Sequence, residues 1–204
     1  MVQQPAHVAM LEEQRRTARE RILRAARVVL AERGLSVRVE DVADAAGISR
    51  RTVFRHFESR DALLAAALRD SMRSYGDRIP RYEAGRPLAD WLHDAFVAAH
   101  EMNARHGRVY FELALATELE GPLAEVAALR RVARGEFVRR FSDAAWRASG
   151  ASGHPPGWLV DTAAILLSAF ATEALVGDFG RTPAEAGEVA ARALQHSIAG
   201  AAAR

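Results

Sequence analysis

Apolar residues recur every three to four positions along most of this chain, which is the period of an amphipathic α-helix. In the first such stretch Ile22, Ala26 and Leu30 fall on one helical face, and Arg27 falls outside it. Sustained alternation of apolar and polar residues is absent from the sequence, and its longest trace, residues 36–39, is too short to predict a strand. The pattern predicts an all-α fold.

Glycine, proline and serine mark the ends of the predicted helices. Gly34 follows the first helix as a left-handed C-cap, and Ser49 and Ser59 stand where they can cap the third and fourth helices. Residues 150–157, GASGHPPG, are the clearest loop. The predicted helices are Glu12–Arg33, Glu40–Ala46, Arg50–Phe57, Arg60–Ile79, Leu88–His106, Arg108–Leu119, Pro122–Ala148, Trp158–Val176 and Pro183–Ala203.

The composition is that of a folded globular chain. Of the 204 residues, 50% are hydrophobic and 26% are charged, which argues against disorder. The longest uncharged run in the apolar part, Thr162–Thr172, is about half of the ~20 residues needed to cross a bilayer, and no secretory signal is visible. The absence of cysteine excludes disulfides and cysteine-ligated zinc. We expect a cytoplasmic protein without a membrane partner.

Charge divides the chain into two parts. All 28 basic residues are arginine. Residues 1–80 hold 15 Arg against 11 Asp and Glu, a net charge of +4, whereas residues 81–204 hold 13 against 15, a net charge of −2. This asymmetry suggests that only the front part meets a polyanion.

The segment AAGISRRTVFRHF, residues 45–57, has the pattern of a helix-turn-helix unit. Gly47 supplies the sharp turn, and Val53 and Phe57, four residues apart, can pack inward. An arginine-rich helix fits the major groove and presents forked donors to guanine and to phosphate, while the helix start at Ser49 favours a phosphate. The alternative is a solvated helix face, which the turn chemistry disfavours. The residues left outside are Arg50, Arg51, Thr52, Phe54, Arg55 and His56.

These motifs resemble the TetR family of bacterial transcriptional regulators. The match runs from Ile22 to Leu68: I-x-x-A-A from residue 22, E-R-G at 32–34, V-A-x-A-A-G-I-S at 42–49, T-V-F-x-H-F at 52–57 and D-A-L-L at 61–64. The resemblance implies a homodimeric repressor that leaves its palindromic double-stranded DNA operator when a small organic molecule binds. An activating or ligand-independent regulator of the same fold is the alternative.

The family's organisation implies two domains. Residues 1–60 would form the helix-turn-helix domain, flexible to about residue 11, and residues 61–204 the ligand-binding and dimerisation domain, with 61–79 as the linking helix. Arg38 replaces the usual Thr or Ser before the second helix, Phe54 replaces the usual Tyr, and Arg60 replaces the usual Lys. The expected DNA-binding residues are Arg38, Ser49, Arg50, Arg51, Thr52, Phe54, Arg55, His56 and Arg60. Of these, Arg50, Arg51 and Arg55 would read bases, and Ser49, Thr52, His56 and Arg60 would mainly hold phosphates.

The back half has two further expected sites. Aromatic and polar residues within apolar helices are the candidates for the ligand pocket, although each of these rings could equally fill a solid core. They are Trp91, Phe96, His100, Tyr110, Phe111, Glu112, Thr117, Phe141 and Trp146. The last two helices would form the dimer interface through Leu166, Phe170, Leu194 and Ile198.

Metal and catalytic chemistry are not expected. His93 and His100 are about 10 Å apart along a helix, too far to share one ion, and a helix end is predicted between them and His106. The sequence has no Ser/His/Asp order and no glycine-rich phosphate loop. We therefore expect no metal or other cofactor and no enzymatic activity, with a helical enzyme as the alternative class.

Overall fold

The computed structural model describes the backbone of residues 4–116 and 118–203, and the side chains of residues 8–72, 76, 78–116 and 118–203. Nine α-helices and no strand are present in this part of the chain, so the all-α prediction is confirmed. Short 3-10 turns follow α1 and α4 at Gly34–Ser36 and Gly76–Arg78, and a π-helical turn, Ala174–Asp178, follows α8. The helices are α1 (Gln4–Arg33), α2 (Val39–Ala46), α3 (Arg50–His56), α4 (Arg60–Tyr75), α5 (Leu88–Leu115), α6 (Gly121–Ala148), α7 (Gly157–Leu166), α8 (Ala169–Glu173) and α9 (Pro183–Ala202).

The first hydrophobic core joins α1–α4 and continues into the back half. Ile22 of α1, Val42 of α2 and Val53 of α3 are buried in it together with Leu63 of α4. The C-terminal end of α5, through Leu113, and the start of α6 belong to the same cluster. The first four helices therefore contact the back half through α1, which packs against α5, and through α4, which packs against α6.

The second core lies among α5, α6, α7 and α9. Trp91 and Phe96 of α5 pack there with Phe141 of α6 and Leu194 of α9. Gly187 lets α9 lie against the α5 backbone, because a Cβ at this position would come within 2.6 Å of the Val97 Cα. The close crossing of α5 and α9 is thus built around a residue without a side chain.

Helix α1 is longer than the sequence predicted. It begins at Gln4, not at Glu12, so it includes most of the segment that is expected to be flexible. Among its described side chains none is buried before Ile22, so core contacts do not explain the added turns. Alanine, methionine, leucine and glutamine are frequent in residues 4–11, and these good helix formers favour a helix without tertiary packing.

Two predicted boundaries in the back half are also wrong. The chain does not break near Gly107, because α5 runs continuously to Leu115 and Gly107 is buried where α8 approaches it. The long helix predicted from Trp158 is instead interrupted after Leu166, and α8 starts afresh with Ser168 as its N-cap. The Ser168 Oγ accepts the Ala171 N–H at 3.1 Å.

No single helix in the described chain is both long and apolar enough to cross a membrane. Only the bent pair Gly157–Leu166 and Ala169–Asp178, with 49° between its halves, passes a test of length and composition.

Candidate nucleic-acid interface and ligand cavity

The turn before α3 is set by local backbone chemistry. Gly47 ends α2 in the left-handed conformation, at φ 63°, and its N–H reaches the carbonyls of the last turn. Ile48 donates its N–H to the Ala43 carbonyl at 3.0 Å. Ser49 then caps α3, because its Oγ accepts the Thr52 N–H at 3.2 Å. The short sequence G-I-S is sufficient to reverse the chain and start the second helix.

Helix α3 has one buried and one exposed face, as the sequence predicts. Val53 and Phe57 are buried in the first core. Arg51, Phe54 and Arg55 are exposed, and 41% of the Phe54 surface is open to solvent. Ser49 and Arg50 are exposed too, whereas Thr52 and His56 are half-buried at the edge of this face. Of the six predicted outer residues of α3, four are thus exposed to solvent, and Thr52 and His56 flank them.

The arginines of α3 differ in their surroundings. Arg50 Nη1 pairs with Glu40 Oε1 of α2 at 2.7 Å, and its guanidinium lies 5.7 Å from the centre of the Phe54 ring. Neither Arg51 nor Arg55 forms an ion pair with any described residue. These two cations can therefore turn toward a polyanion without first leaving a carboxylate.

Two arginines of α1, which the sequence analysis missed, extend the basic face. Arg19 donates to the His56 carbonyl at 3.2 Å and lies 4.4 Å from the centre of the Phe57 ring. Burial lowers the pKa of His56, and the nearby charges of Arg55, Arg15 and Arg19 lower it further. The four-residue spacing of Arg15 and Arg19 was the available signal, since it places both on one face of α1.

Arg60 is held by neighbouring groups of the protein. Its Nε donates to the Val37 carbonyl at 2.7 Å, its Nη2 donates to the Leu35 carbonyl, and its Nη1 pairs with Asp61 at 2.8 Å. These contacts engage each nitrogen of a half-buried guanidinium and favour a structural role for Arg60 over the expected phosphate contact. It ties the connection between α1 and α2 to the start of α4.

Arg38 stands at the N-cap of α2 and is exposed. Its side chain makes no capping hydrogen bond, and Asp41 completes the helix start instead by accepting the Arg38 backbone N–H at 2.8 Å. The loss of a hydroxyl at this position is thus offset by the aspartate three residues later.

The back half contains a cavity of about 270 Å³ among α4, α5, α6 and α8. Met72, Phe137 and Leu167 contribute apolar walls, and Arg130 and Arg134 contribute charge from one side of α6. Tyr110 stands at its edge, with the Arg130 guanidinium 5.4 Å from the centre of the ring. This is a small enclosure with the mixed lining of a ligand site.

A second cavity of about 600 Å³ lies between α1 and the start of the back half. Arg24 and Arg27 line it from α1, and Arg78 and His106 line it from the other side. Tyr110 borders both cavities. Its pKa is raised by burial and lowered in part by a hydrogen bond to Ser71 of α4. Tyr110 therefore lines both cavities and is hydrogen-bonded to Ser71 of α4.

Four of the predicted ligand residues fill the second core. Trp91 and Phe141 lie 4.8 Å apart between ring centres, and Phe96 and Phe141 lie 5.7 Å apart. Trp146 is buried and donates its Nε1–H to the Ser152 carbonyl at 3.0 Å. None of the four lines either cavity described above. The alternative of a solid core applies to them, because the rings pack on one another.

His100, Phe111 and Glu112 also have other partners. His100 is buried against the break between α7 and α8, with Nε2 at 3.1 Å from the Leu166 carbonyl and Nδ1 at 2.9 Å from Thr172 Oγ1. Burial lowers the pKa of His100 to about 4.

Phe111 packs against Phe170, 4.6 Å between ring centres. The Glu112 carboxylate accepts the Leu35 backbone N–H and pairs with Arg108 Nε at 3.0 Å. It thus joins α5 to the turn after α1. Of the nine predicted ligand residues Tyr110 alone lines these cavities, and Thr117 lies outside the described residues.

The predicted dimer residues divide into two groups. Leu194 and Ile198 are buried within the chain, in the second core, which corrects their assignment to an interface. Leu166 is half-buried, and Phe170 remains 44% exposed beside Phe111. The outward-facing apolar residues of α7 and α9 are Trp158, Ile165 and Val189.

Within the described residues no group of three or more His, Asp or Glu side chains is arranged to hold a metal ion. His93 is exposed whereas His100 is buried, although both lie on α5.

Comparisons with known proteins agree with the helix-turn-helix assignment. Residues 22–67 match the family model described as bacterial regulatory proteins, tetR family. No curated protein sequence matches the chain significantly. A solved tetR-family transcriptional regulator from Streptomyces coelicolor is similar over 91% of this chain and 83% of its own, with a TM-score of 0.68 and 19% identity.

Two further solved structures are similar. LfrR from Mycobacterium smegmatis, a TetR-like transcriptional regulator in complex with proflavine, is 23% identical over 90% of this chain and 96% of its own, with a TM-score of 0.62. A putative regulator, sav143 from Streptomyces avermitilis, is 25% identical over 78% of this chain and 87% of its own, with a TM-score of 0.59. Residues 22–67 thus match the tetR family model, and the chain as a whole has the fold of these solved regulators.

Proposed function

We propose that the protein is a homodimeric repressor that binds a palindromic operator through α3 and leaves it when a small organic molecule enters the cavity beside Tyr110. Residues 1–60 would be the DNA-binding domain and residues 61–204 the ligand-binding and dimerisation domain. Helix α4 would link the two domains. Such a protein works in the cytoplasm, where the operator is. Neither a metal nor another cofactor takes part in this proposal.

The exposed face of α3 is the observation that carries the DNA-binding role. Arg51 and Arg55 stand on it without a described acidic partner, and Ser49 presents the start of the helix. A guanidinium can bind guanine O6 and N7 with two hydrogen bonds, and the start of a helix favours a phosphate oxygen. Arg38 and the arginines of α1 would add contacts to the backbone of the duplex.

Selection from a library of random duplexes tests this role. We expect the wild-type protein to enrich an inverted repeat whose half-sites are about one helical turn, or a multiple of it, apart. Arg51→Ala should weaken binding to that repeat by about 1–3 kcal/mol and relax the preference at one position of each half-site. Arg131→Ala, an exposed arginine of α6, is the matched control. Equal affinity and equal preference for all three proteins would contradict base reading by Arg51.

Apolar side chains on α7 and α9 support the dimer. Trp158, Ile165 and Val189 are exposed at 51%, 66% and 41%, on the last helices of the chain. Neighbouring exposed apolar residues are typical of an interface with another protein. Two copies joined there would present two α3 helices to one operator.

The position of Tyr110 supports release by a ligand. A molecule in the smaller cavity touches one side of Tyr110, and the hydroxyl of this residue bonds Ser71 on α4, the helix that leads back to the DNA-binding domain. A ligand that moved the ring would therefore favour a different position of α4 and a different spacing of the two α3 helices. A ligand-independent regulator would keep its operator under the same conditions.

A further inference from the structure

We propose that the ligand of the smaller cavity is an organic anion, with its acidic group on Arg130 and Arg134 and its apolar body against Tyr110, Phe137 and Leu167. This inference rests on the proposed function, since it takes this cavity as the ligand site.

The charge of the lining carries the proposal. Three arginines of α6, Arg130, Arg134 and Arg140, line the cavity, and no Asp or Glu is among its described lining residues. Arg130 and Arg134 are one helical turn apart, so their side chains project from the same side of α6. Arg140 is also paired with Glu136, at 3.8 Å, so Arg130 and Arg134 are the arginines proposed to receive the ligand. A cationic ligand would face these two guanidiniums, and like charges in a partly desolvated site repel strongly.

The exposure of the two arginines suits them to a ligand. Both side chains are half-buried, whereas their neighbours Arg131 and Arg139 are exposed to solvent. Arg134 donates to the Ala164 carbonyl, and the Arg130 guanidinium stands over the Tyr110 ring. These contacts hold each guanidinium at the cavity while leaving its positive charge in place. A planar guanidinium fork matches the two oxygens of a carboxylate.

The rest of the lining selects the body of the molecule. Met72, Phe137, Val138 and Leu167 are apolar, and the cavity of about 270 Å³ has room for a chain or ring system of moderate size. The buried Asn103 adds an amide at the wall. An inorganic anion would leave these apolar walls empty, so a carboxylate with an apolar body fits the lining better.

The test compares probes that share a body and differ in the head group. Decanoate, decan-1-ol and decylamine form an aliphatic set, and 2-naphthoate and 2-naphthol an aromatic pair. We expect calorimetry on the intact protein to show at least one of the two carboxylates binding about tenfold or more tightly than its alcohol, with decylamine weakest.

Variants locate the anion. Arg130→Gln and Arg134→Gln should each weaken carboxylate binding by about tenfold and leave binding of the alcohol unchanged. Arg131→Gln, an exposed neighbour, should change neither. Arg51→Gln should also leave carboxylate binding unchanged, which separates the cavity from the DNA-binding face.

The outcomes distinguish this proposal from the proposed function. Tighter binding of the alcohols or of decylamine, or failure of both carboxylates to bind, would overturn the anion proposal even if the variants did not fold. Release of operator DNA by decan-1-ol or decylamine would keep ligand-responsive repression and reject the anion. Arginine-dependent binding of a carboxylate without any change in operator affinity would keep the anion site and reject induction through it.

Discussion

Arg60 and Arg51 both belong to the DNA-binding domain, yet their guanidiniums have opposite surroundings. Arg51 is exposed on α3, whereas Arg60 bonds the carbonyls of Leu35 and Val37 and pairs with Asp61. The sequence does not distinguish a DNA contact from a structural arginine here, because both residues are arginines in the first turn of a helix. The separation comes from the connection between α1 and α2, which folds back over the start of α4.

Replacement of Arg60 should therefore act on stability. Arg60→Ala leaves two backbone carbonyls without their donors, and we expect the free energy of unfolding to fall by about 1–3 kcal/mol in urea titrations. Arg55→Ala, which removes an exposed arginine of α3, should change it by no more than about 0.5 kcal/mol. Unaltered stability of Arg60→Ala together with a smaller salt dependence of DNA binding would restore the phosphate role.

At the scale of helices, the sequence was most informative where the cause of a structure is local. The turn before α3 depends on Gly47, Ile48 and Ser49, and these residues predict it correctly. The break between α7 and α8 depends on His100 and Asn103, which reach it from α5. The periodicity of residues 158–176 depends only on local sequence and does not include these contacts from α5. It therefore predicts a single helix.

A related reason separates the predicted ligand residues into two groups. Aromatic residues at helical spacing identify a buried face, but a buried face can border a cavity or another ring. Trp91 and Phe96 both pack against Phe141, whereas Tyr110, although buried, borders the two cavities. The arginines of α6 carry no signal of their own in the sequence, because all 28 basic residues of the chain are arginine and most helices have two or more.

His100, which is buried against the break between α7 and α8, should make the free energy of unfolding depend on pH. Burial lowers the pKa of His100 to about 4, against 6.5 in an unfolded chain, so the folded protein resists a proton that the unfolded chain accepts. The free energy of unfolding should thus decline as pH falls from about 6.5 to about 4, by on the order of 2–3 kcal/mol from this residue.

His100→Gln isolates that contribution from those of His56 and His106, whose pKa values are lowered as well. We expect a shallower pH dependence in His100→Gln than in His93→Gln, which changes an exposed histidine of the same helix. Parallel curves of unfolding free energy against pH for the two variants would contradict the assignment.

Coupling between the cavity and α4 should depend on one hydroxyl. Tyr110→Phe keeps the ring at the cavity but removes the hydrogen bond to Ser71. We expect the affinity for a cavity ligand to change by less than about threefold, because one neutral hydrogen bond contributes little and this one is not to the ligand. Ligand-induced loss of operator affinity, measured by fluorescence anisotropy, should be smaller than in the wild type. Full release by Tyr110→Phe would place the coupling elsewhere.

For the whole molecule, the exposed face of α7 and α9 predicts the effect of a charge on assembly. Ile165→Asp would bury a carboxylate without a partner in a dimer, a change that costs several kcal/mol, and sedimentation should show a shift toward the monomer. Val132→Asp alters an equally exposed residue of α6 and should leave the dimer intact. A monomeric variant should also lose most of its operator affinity, since two half-sites bind together. An unchanged dimer for Ile165→Asp would move the interface away from α7.

The crossing of α9 over α5 at Gly187 has a consequence for the order in which the protein acquires its structure during synthesis. The contacts among α1–α4 join neighbouring parts of the chain, so this unit can form while the ribosome is still translating the rest. Helix α5 stays uncovered until α9 has been synthesised, because the side chains that pack with Trp91 and Phe96 include Leu194 and Ile198, which lie far downstream in the chain. A nascent chain halted before residue 183 would carry a DNA-reading unit attached to an uncovered apolar helix, which favours aggregation or capture by a chaperone. Synthesis of α9 is thus the step that covers the apolar face of α5 and completes the second core.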